Sequence, residues 1–284
     1  MKRFIILFCC LPFVMQAARR NPFDISQEVN GPVKSVSIAW FAGQNVSLYY
    51  GKNRVGKSQE MRYYDQHGRE IKTETIHRGK TDDYTITTYD DSSFVSVSKS
   101  YNAKNQSNDY YEVTYFNERW SPVCDFQYHK DTIQHRDSTV YNQWDKIAIA
   151  FHSHGKEPYY RSEAYKYDSI GTLLGMREFD SNGKMIGGFD VHYSDTIVQL
   201  HFFGQTYYSH YRDKSDDGPD SWTIKYYYNK QHQLIRREML KSMDLFTKYD
   251  DYGNWLVCES HTYYGLNEYI VTAVREISYW DMDL

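Results

Sequence analysis

The chain is short of cysteine, of helical periodicity and of positive charge. Only four of its 284 residues are Cys, and Cys9 and Cys10 fall in an apolar stretch at the start. That leaves Cys124 and Cys258. Neither stands in a metal or redox spacing, so in an oxidising compartment they either pair or stay buried and inert. Asp and Glu, 37 in all, outnumber the 33 Lys and Arg, for a formal net charge of −4. This excludes the basic footprint on which nucleic-acid binding rests. No glycine-rich phosphate loop, nucleophile elbow or zinc-protease helix motif occurs. No catalytic residue is therefore assigned, and no cofactor is expected.

What the chain has in quantity is tyrosine, 29 residues of it, arranged in a recurring unit. The clearest copy is Tyr249-Asp250-Asp251-Tyr252-Gly253-Asn254-Trp255-Leu256. An aromatic residue is followed by Asp or Asn, then a polar turn that often holds Gly, then apolar residues. Tyr favours a pleated surface. Asp bonds its own backbone two residues on. Gly supplies the positive φ that a tight turn needs. The turn pairs Asp65 and Gly68, Asp168 and Gly171, Asp180 and Gly183, and Asp250 and Gly253 share this grammar. From Tyr89 the unit steps to Tyr115, Tyr141, Tyr167 and Tyr193 at intervals of 26 residues, with Tyr101 and Phe179 subdividing two of them. A fixed period of this size marks a repeat architecture. A half-step of 12 to 14 residues holds one strand and one turn, so each period is one β-hairpin.

In chain order, residues 1–18 read as a secretory leader, with Lys2 and Arg3 before the apolar Phe4–Val14, a run too short to span a bilayer. Lipid attachment at Cys10 would leave too short an apolar run. Residues 19–284 form a single β-repeat domain. Val33 to Trp40 alternates as a first strand. Alternation is also clear around Val95–Ser100, Tyr111–Tyr115, Ile147–His152 and Ile224–Tyr228, with the apolar face of each expected to be covered. Glu238 to Phe246 is the one stretch with some helical character. Asp213–Asp220 reads as an acidic loop, and Trp255–Tyr263 and Tyr269–Trp280 as the last strands. The fold class is all-β: an antiparallel meander of 14 to 18 strands. Open sheets of that size curl or split, so the meander is expected to form a spiral, an open barrel or an elongated twisted sheet.

Candidate chemistry is sparse. His152 and His154 share a strand face, which suits a metal, but no third ligand stands at a usable spacing, and no metal is assigned. His192, His201 and His210 read as surface residues. Asp65, Asp90, Asp168, Asp180 and Asp250 occupy the same position in each repeat, which marks them as turn builders rather than catalytic or calcium-binding carboxylates. Exposed aromatic patches mark binding surfaces. The Tyr226-Tyr227-Tyr228 run, with Trp222, Tyr207 and Tyr208, is the candidate binding cluster.

The Tyr-Asp-x-x-Gly units resemble the YD repeats of RHS-type proteins and, more loosely, MORN-type hairpins. The Gly31-Pro32-Val33-Lys34-Ser35-Val36 opening and the Gly253-Asn254-Trp255 ending are similar to secreted repeat proteins of Bacteroidetes. The chain has too few repeats for an RHS-type shell and lacks its self-cleaving core, so encapsulation does not carry over. The expectation is a secreted, periplasmic or cell-surface binding module, not transmembrane, for a protein or a cell-surface glycan. The alternatives are a hydrolase acting on an extracytoplasmic polymer and an outer-membrane barrel, which the aromatic-rich meander suits and the strongly polar composition and the lack of a continuous apolar band oppose.

Overall fold

The computed structural model describes residues 29–42, 58–155, 159–204, 221–264 and 267–280. The leader, Tyr207, Tyr208, His210 and the 213–220 loop lie outside them. The strands are β1 (Val33–Ala42), β2 (Ser58–Tyr64), β3 (Glu70–His77), β4 (Lys80–Asp90), β5 (Val95–Asn102) and β6 (Ser107–Phe116). They continue as β7 (Pro122–His129), β8 (Thr132–Tyr141), β9 (Ile147–His154), β10 (Arg161–Tyr167), β11 (Leu173–Asp180) and β12 (Met185–Tyr193). The last six are β13 (Ile197–Gly204), β14 (Ser221–Tyr228), β15 (Leu234–Met239), β16 (Ser242–Tyr249), β17 (Trp255–Tyr264) and β18 (Asn267–Tyr279). Each strand pairs antiparallel with the next, and β18 pairs back onto β1. The 18-stranded meander thus closes into a barrel and has no free edge.

The recurring unit forms the same corner eight times among the described residues, at Asp65, Asn102, Asn117, Asn142, Asp168, Asp180, Asn229 and Asp250. In each, the Asx N–H donates to the carbonyl four residues on, and its own carbonyl accepts from the N–H three residues on. Its Oδ1 accepts from the N–H groups two and four residues on. The third residue after the Asx has positive φ in every copy, whether it is Gly68, Gly171, Gly183 and Gly253 or Asn105, Trp120, Asp145 and His232. Asn serves as well as Asp because the corner needs an acceptor oxygen and no charge. Asp90 departs from the pattern. It bonds Ser92 and Ser93, and positive φ falls at Phe94.

The aromatic residues directly before the corners fall on both rims, Tyr101 and Phe179 on one and the rest on the other. Five of these tyrosine hydroxyls donate to the backbone carbonyl of a residue on the neighbouring strand: Tyr89 to Glu70, Tyr141 to Pro122, Tyr167 to Ile147, Tyr193 to Leu173 and Tyr249 to Leu234, at 2.5–3.0 Å. Each hydroxyl closes the open end of the hairpin whose turn lies at the opposite rim. In β6 the residue before the corner is Phe116, not Tyr115, so the repeat register shifts there by one. Phe116 packs on Trp120 at 5.1 Å in place of a hydroxyl bond.

Closure needs its own latch. Trp280 N donates to Pro32 O at 2.8 Å, and Trp280 Nε1 donates to Asp65 O at 3.3 Å. Asn254, 3 % exposed, accepts from Asn30 N at 2.6 Å and donates to Asn30 O, Asp250 and Tyr279. Gly31, at φ +90°, lies against the Tyr252 ring, where a Cβ would come within 2.8 Å.

Antiparallel partners share a sheet face, so one buried residue fixes the inner face around the whole circuit. Leu200 and Phe202 are fully buried, and only the inner face of a closed sheet hides side chains so completely. Register then carries that face from Phe202 through Phe189, Met176, Tyr165, and on around to Arg237 and Tyr226. The inner face has two arcs. On β11–β18 it is largely apolar, with Met176, Phe189, Leu200, Phe202, Ile224, Tyr226, Phe246 and Cys258 forming the core. From β3 to β10 it is largely polar, running through Thr73, Thr85, Ser96, Thr114, Asp125, Asp137, His152 and Glu163. The expectation of a covered apolar face therefore holds for Ile224–Tyr228 and is reversed around Val95–Ser100, Tyr111–Tyr115 and Ile147–His152. There, valine, tyrosine and isoleucine point outward and serine, glutamate and histidine inward. Glu238–Phe246 is no helix: it is the end of β15, a two-residue turn at Leu240 and Lys241, and the start of β16.

Cys124 and Cys258 are both free. They sit on β7 and β17 and face opposite sides of the wall. Burial pushes the Cys258 thiol up to about 12, which leaves it inert at neutral pH.

Candidate functional site

Three regions concentrate chemistry. The first is the polar inner arc. Thr85 and Ser100 pair across strands at 3.1 Å, as do Thr87 and Ser98 at 2.9 Å. Next along the arc, Thr114 Oγ1 donates to Asp125 Oδ2 at 2.8 Å, and Gln127 Nε2 to Glu112 Oε2 at 3.4 Å. Burial, with the Asp125 carboxylate alongside, raises Glu112 to about 7. Burial also raises Asp125. Beyond this pair, His152 Nδ1 lies 3.1 Å from Asp137 and Nε2 lies 3.5 Å from Glu163. Burial pulls the imidazole down, but the two carboxylates more than reverse this and raise it to about 9. Arg161 bridges Glu163 at 3.1 Å and the buried Glu178 at 3.5 Å.

Glu112 gives a pH test. A carboxyl held near 7 when folded, against an ordinary 4.5, loses its stabilising contribution as pH rises through that window. Glu112→Gln removes the penalty. Its stability relative to the parent should rise between about pH 4.5 and pH 7.5, by about 1–2 kcal/mol after solvent screening. Urea unfolding of both proteins at the two pH values reads this directly. A difference that does not change with pH would remove Glu112 from the account.

The second region is the outer face of β4–β9. Ile86, Tyr115, Val140 and Ile149 are exposed there, each by more than a third. Between them Tyr84 stacks on Tyr101 at 5.0 Å and Tyr111 on Tyr128 at 4.6 Å. The Tyr84 hydroxyl is held by Asn105 and that of Tyr111 by Asp131. The outer face of β11–β17 differs. It carries charge in mid-strand, with Arg177 bridging Asp190 at 2.6 Å, Arg236 bridging Glu238 at 3.0 Å, and Lys225 and Glu259 on the same face.

The third is a cavity of about 220 Å³ on the inner face where β17, β18, β1 and β2 meet.

The residues singled out in the sequence divide between the two faces. Tyr226 is 3 % exposed in the core, and Tyr228 and Trp222 pack against it from the same inner face. Trp222 stacks on Phe202 at 4.2 Å. Of the cluster's described members, only Tyr227 faces outward, where its hydroxyl donates to Glu238 at 2.6 Å and Arg236 lies over its ring. His152 and His154 share the inner face, and His154 Nδ1 lies 3.0 Å from His135 Nδ1. Among the described residues no three His, Cys, Asp or Glu side chains converge in a metal-binding arrangement. Alternation alone predicts an apolar face turned inward, so neither the polar arc nor the outer ladder follows from it. Their signal was the Ser, Thr and acidic residues opposite Val and Tyr on consecutive strands.

No protein-family model matches the chain, and no curated protein matches it. Among solved structures, a porin-like protein from Bacteroides uniformis aligns at TM-score 0.46 and 9 % identity over 89 % of this chain and all of that one. The TcdB2-TccC3-Cdc42 complex aligns at TM-score 0.29 and 9 % identity over 77 % of this chain, which spans 16 % of that one. TcdB2-TccC3 without its hypervariable C-terminal region aligns at TM-score 0.24 and 13 % identity, over 75 % of this chain and 12 % of that one. At these scores and identities the likenesses carry no functional argument. The described residues contain no helix long and apolar enough to cross a membrane, which says nothing of a β-barrel.

Proposed function

We propose that this barrel is an extracytoplasmic binding module that stands in water and takes a cell-surface glycan on the outer face of β4–β9. The observation that carries this is the opposite polarity of the two arcs. A lipid-embedded wall needs a continuous apolar belt, and a basic side chain at the bilayer midplane costs about 2–4 kcal/mol. The outer charges of β11–β17 break any such belt. On β4–β9 the outer face instead presents flat aromatic rings already fixed by stacking and by their hydroxyl bonds, so little ordering cost remains on binding. Flat rings interleaved with Lys99, Thr88 and Ser138 suit sugar rings, which combine an apolar face with hydroxyls. Residues 1–18, as a secretory leader, supply the route out of the cytoplasm, and the Tyr-Asp corners support kinship of the repeats with RHS-type YD hairpins.

The test uses the mature chain, residues 19–284, purified without detergent and applied to a glycan array. Soluble, monodisperse protein that binds a glycan, with affinity at least about tenfold weaker in Tyr115→Ala combined with Val140→Ser, supports the reading. A requirement for detergent, or capture of a protein partner with an empty array, would overturn it. The alternative hydrolase reading is favoured by one observation, the raised Glu112 beside Asp125, because glycoside hydrolysis needs an acid held protonated near neutral pH. Polymer turnover abolished by Glu112→Gln would move the assignment there.

A further inference from the structure

On β5–β8 the two faces of the wall separate charge by sign. The strand cations Lys99 and Arg136 point outward. The strand carboxylates Glu112, Asp125 and Asp137 point inward, and Asp109 stands apart in the bulge beside the β5–β6 turn. Register places Lys99 in an outward row between Ile86 and Tyr111, with Tyr128 next beyond. The neighbouring row holds Val97, Val113, Phe126 and Arg136. Arg136 has its guanidinium over the Tyr159 ring at 4.6 Å. Lys99 is exposed, and its ammonium has no ion pair or hydrogen bond among the described residues. The outer face of β11–β17 instead mixes its cations with Asp190, Glu238 and Glu259. The chain as a whole carries a formal net charge of −4. Against that balance, an aromatic face free of carboxylates between its rims, with an unpaired ammonium within it, is complementary to an anion.

We propose that the glycan taken by this face is acidic, and that Lys99 selects it by pairing with an anionic group, carboxylate or sulfate, on the sugar. The inference rests on the glycan reading above and adds the charge of the ligand to it. Neighbouring strands lie about 4.8 Å apart, so a sugar seated on Tyr111 holds its substituents within the span of the Lys99 side chain on the next strand. Ile86 and Val97 flank the Lys99 stem and offer its ammonium no competing acceptor, which leaves the acid group of the ligand as its partner. An ammonium is a point charge with rotatable donors and makes no planar demand, so it accepts either anion. The tyrosines supply the sequence-independent grip on the sugar, and Lys99 supplies the discrimination between charged and neutral chains.

The test uses residues 19–284 and two matched pairs of probes. Polygalacturonate is set against its methyl ester, and dextran sulfate against dextran, each titrated by calorimetry. The expected result is binding of at least one acidic polymer with Kd below about 1 mM, with its neutral counterpart at least about tenfold weaker. Polygalacturonate alone would define a uronic acid as the ligand, and dextran sulfate alone a sulfated sugar. Lys99→Gln should weaken the acidic polymer at least about tenfold, and Lys99→Arg should restore most of the loss. Lys225→Gln, on the outer face of the other arc, should change binding by less than about twofold, which separates a site from diffuse attraction. Equal losses at Lys99 and Lys225, or equal binding of charged and neutral polymers, overturns the proposal. Neutral array glycans that bind while both acidic polymers fail overturn the acid preference and leave the glycan reading standing. Refusal of every glycan, with or without binding to phosphatidylglycerol vesicles, overturns both.

Discussion

Asn254→Ala should lower the melting temperature by about 10 °C. Asn254 is the buried hub of the seam: its side chain accepts from Asn30 N and donates to Asn30 O, Asp250 and Tyr279. Alanine removes every one of these contacts, at about 1–3 kcal/mol for each part-buried group whose bond is lost, while Tyr279 and Asp250 keep each other. Compensation by water at the rim reduces the total to about 3–4 kcal/mol, and for a domain of this size each kcal/mol moves the midpoint by about 2–4 °C. The damage should be local. The β1–β18 pairing is the contact that turns an open meander into a barrel, so its amides should exchange faster before the rest of the wall loosens. Calorimetry with amide hydrogen exchange checks both points. A shift under about 2 °C, or uniform loss of protection, would mean that the backbone ladder alone holds the seam.

The second large effect concerns the two arcs. Phe202→Ala should cost about 3–5 kcal/mol, because the ring is fully buried between Trp222 at 4.2 Å and Phe189 at 5.3 Å. Val140→Ser, on the outer face of the other arc, should change stability by no more than about 0.5 kcal/mol, since Val140 is half exposed. Denaturant melts of the two variants measure the contrast. Similar losses at both positions would show that the outer apolar face is packed against something, and the assignment of inside and outside would have to be redrawn.

The corners were legible residue by residue. Asp168 followed by Gly171 announces a turn because everything the turn needs lies within five residues: an acceptor oxygen, two N–H donors and one residue tolerant of positive φ. The hairpin period is legible for the same reason, and at Phe116 the period follows the residue adjacent to the Asx rather than the tyrosine. The tyrosine hydroxyl bonds were only half legible. That a rim hydroxyl seeks a backbone group follows from its chemistry. That Tyr141 finds Pro122, 19 residues earlier, depends on strand pairing. The Tyr226 cluster misled because adjacent rings on a strand point to opposite faces, and proximity in sequence does not make one surface.

By itself the sequence determined the strands, the corners, the hairpin period and which residues share a face, because each is settled within one turn or one pair of strands. Only the tertiary structure decided that the ribbon closes, that β18 meets β1 across Asn254, and which face became the inside. Alternation has two faces and no sign. The sign comes from the direction in which the whole sheet curls, a property of the closed circuit. On β5 that curl turned serine inward and valine out.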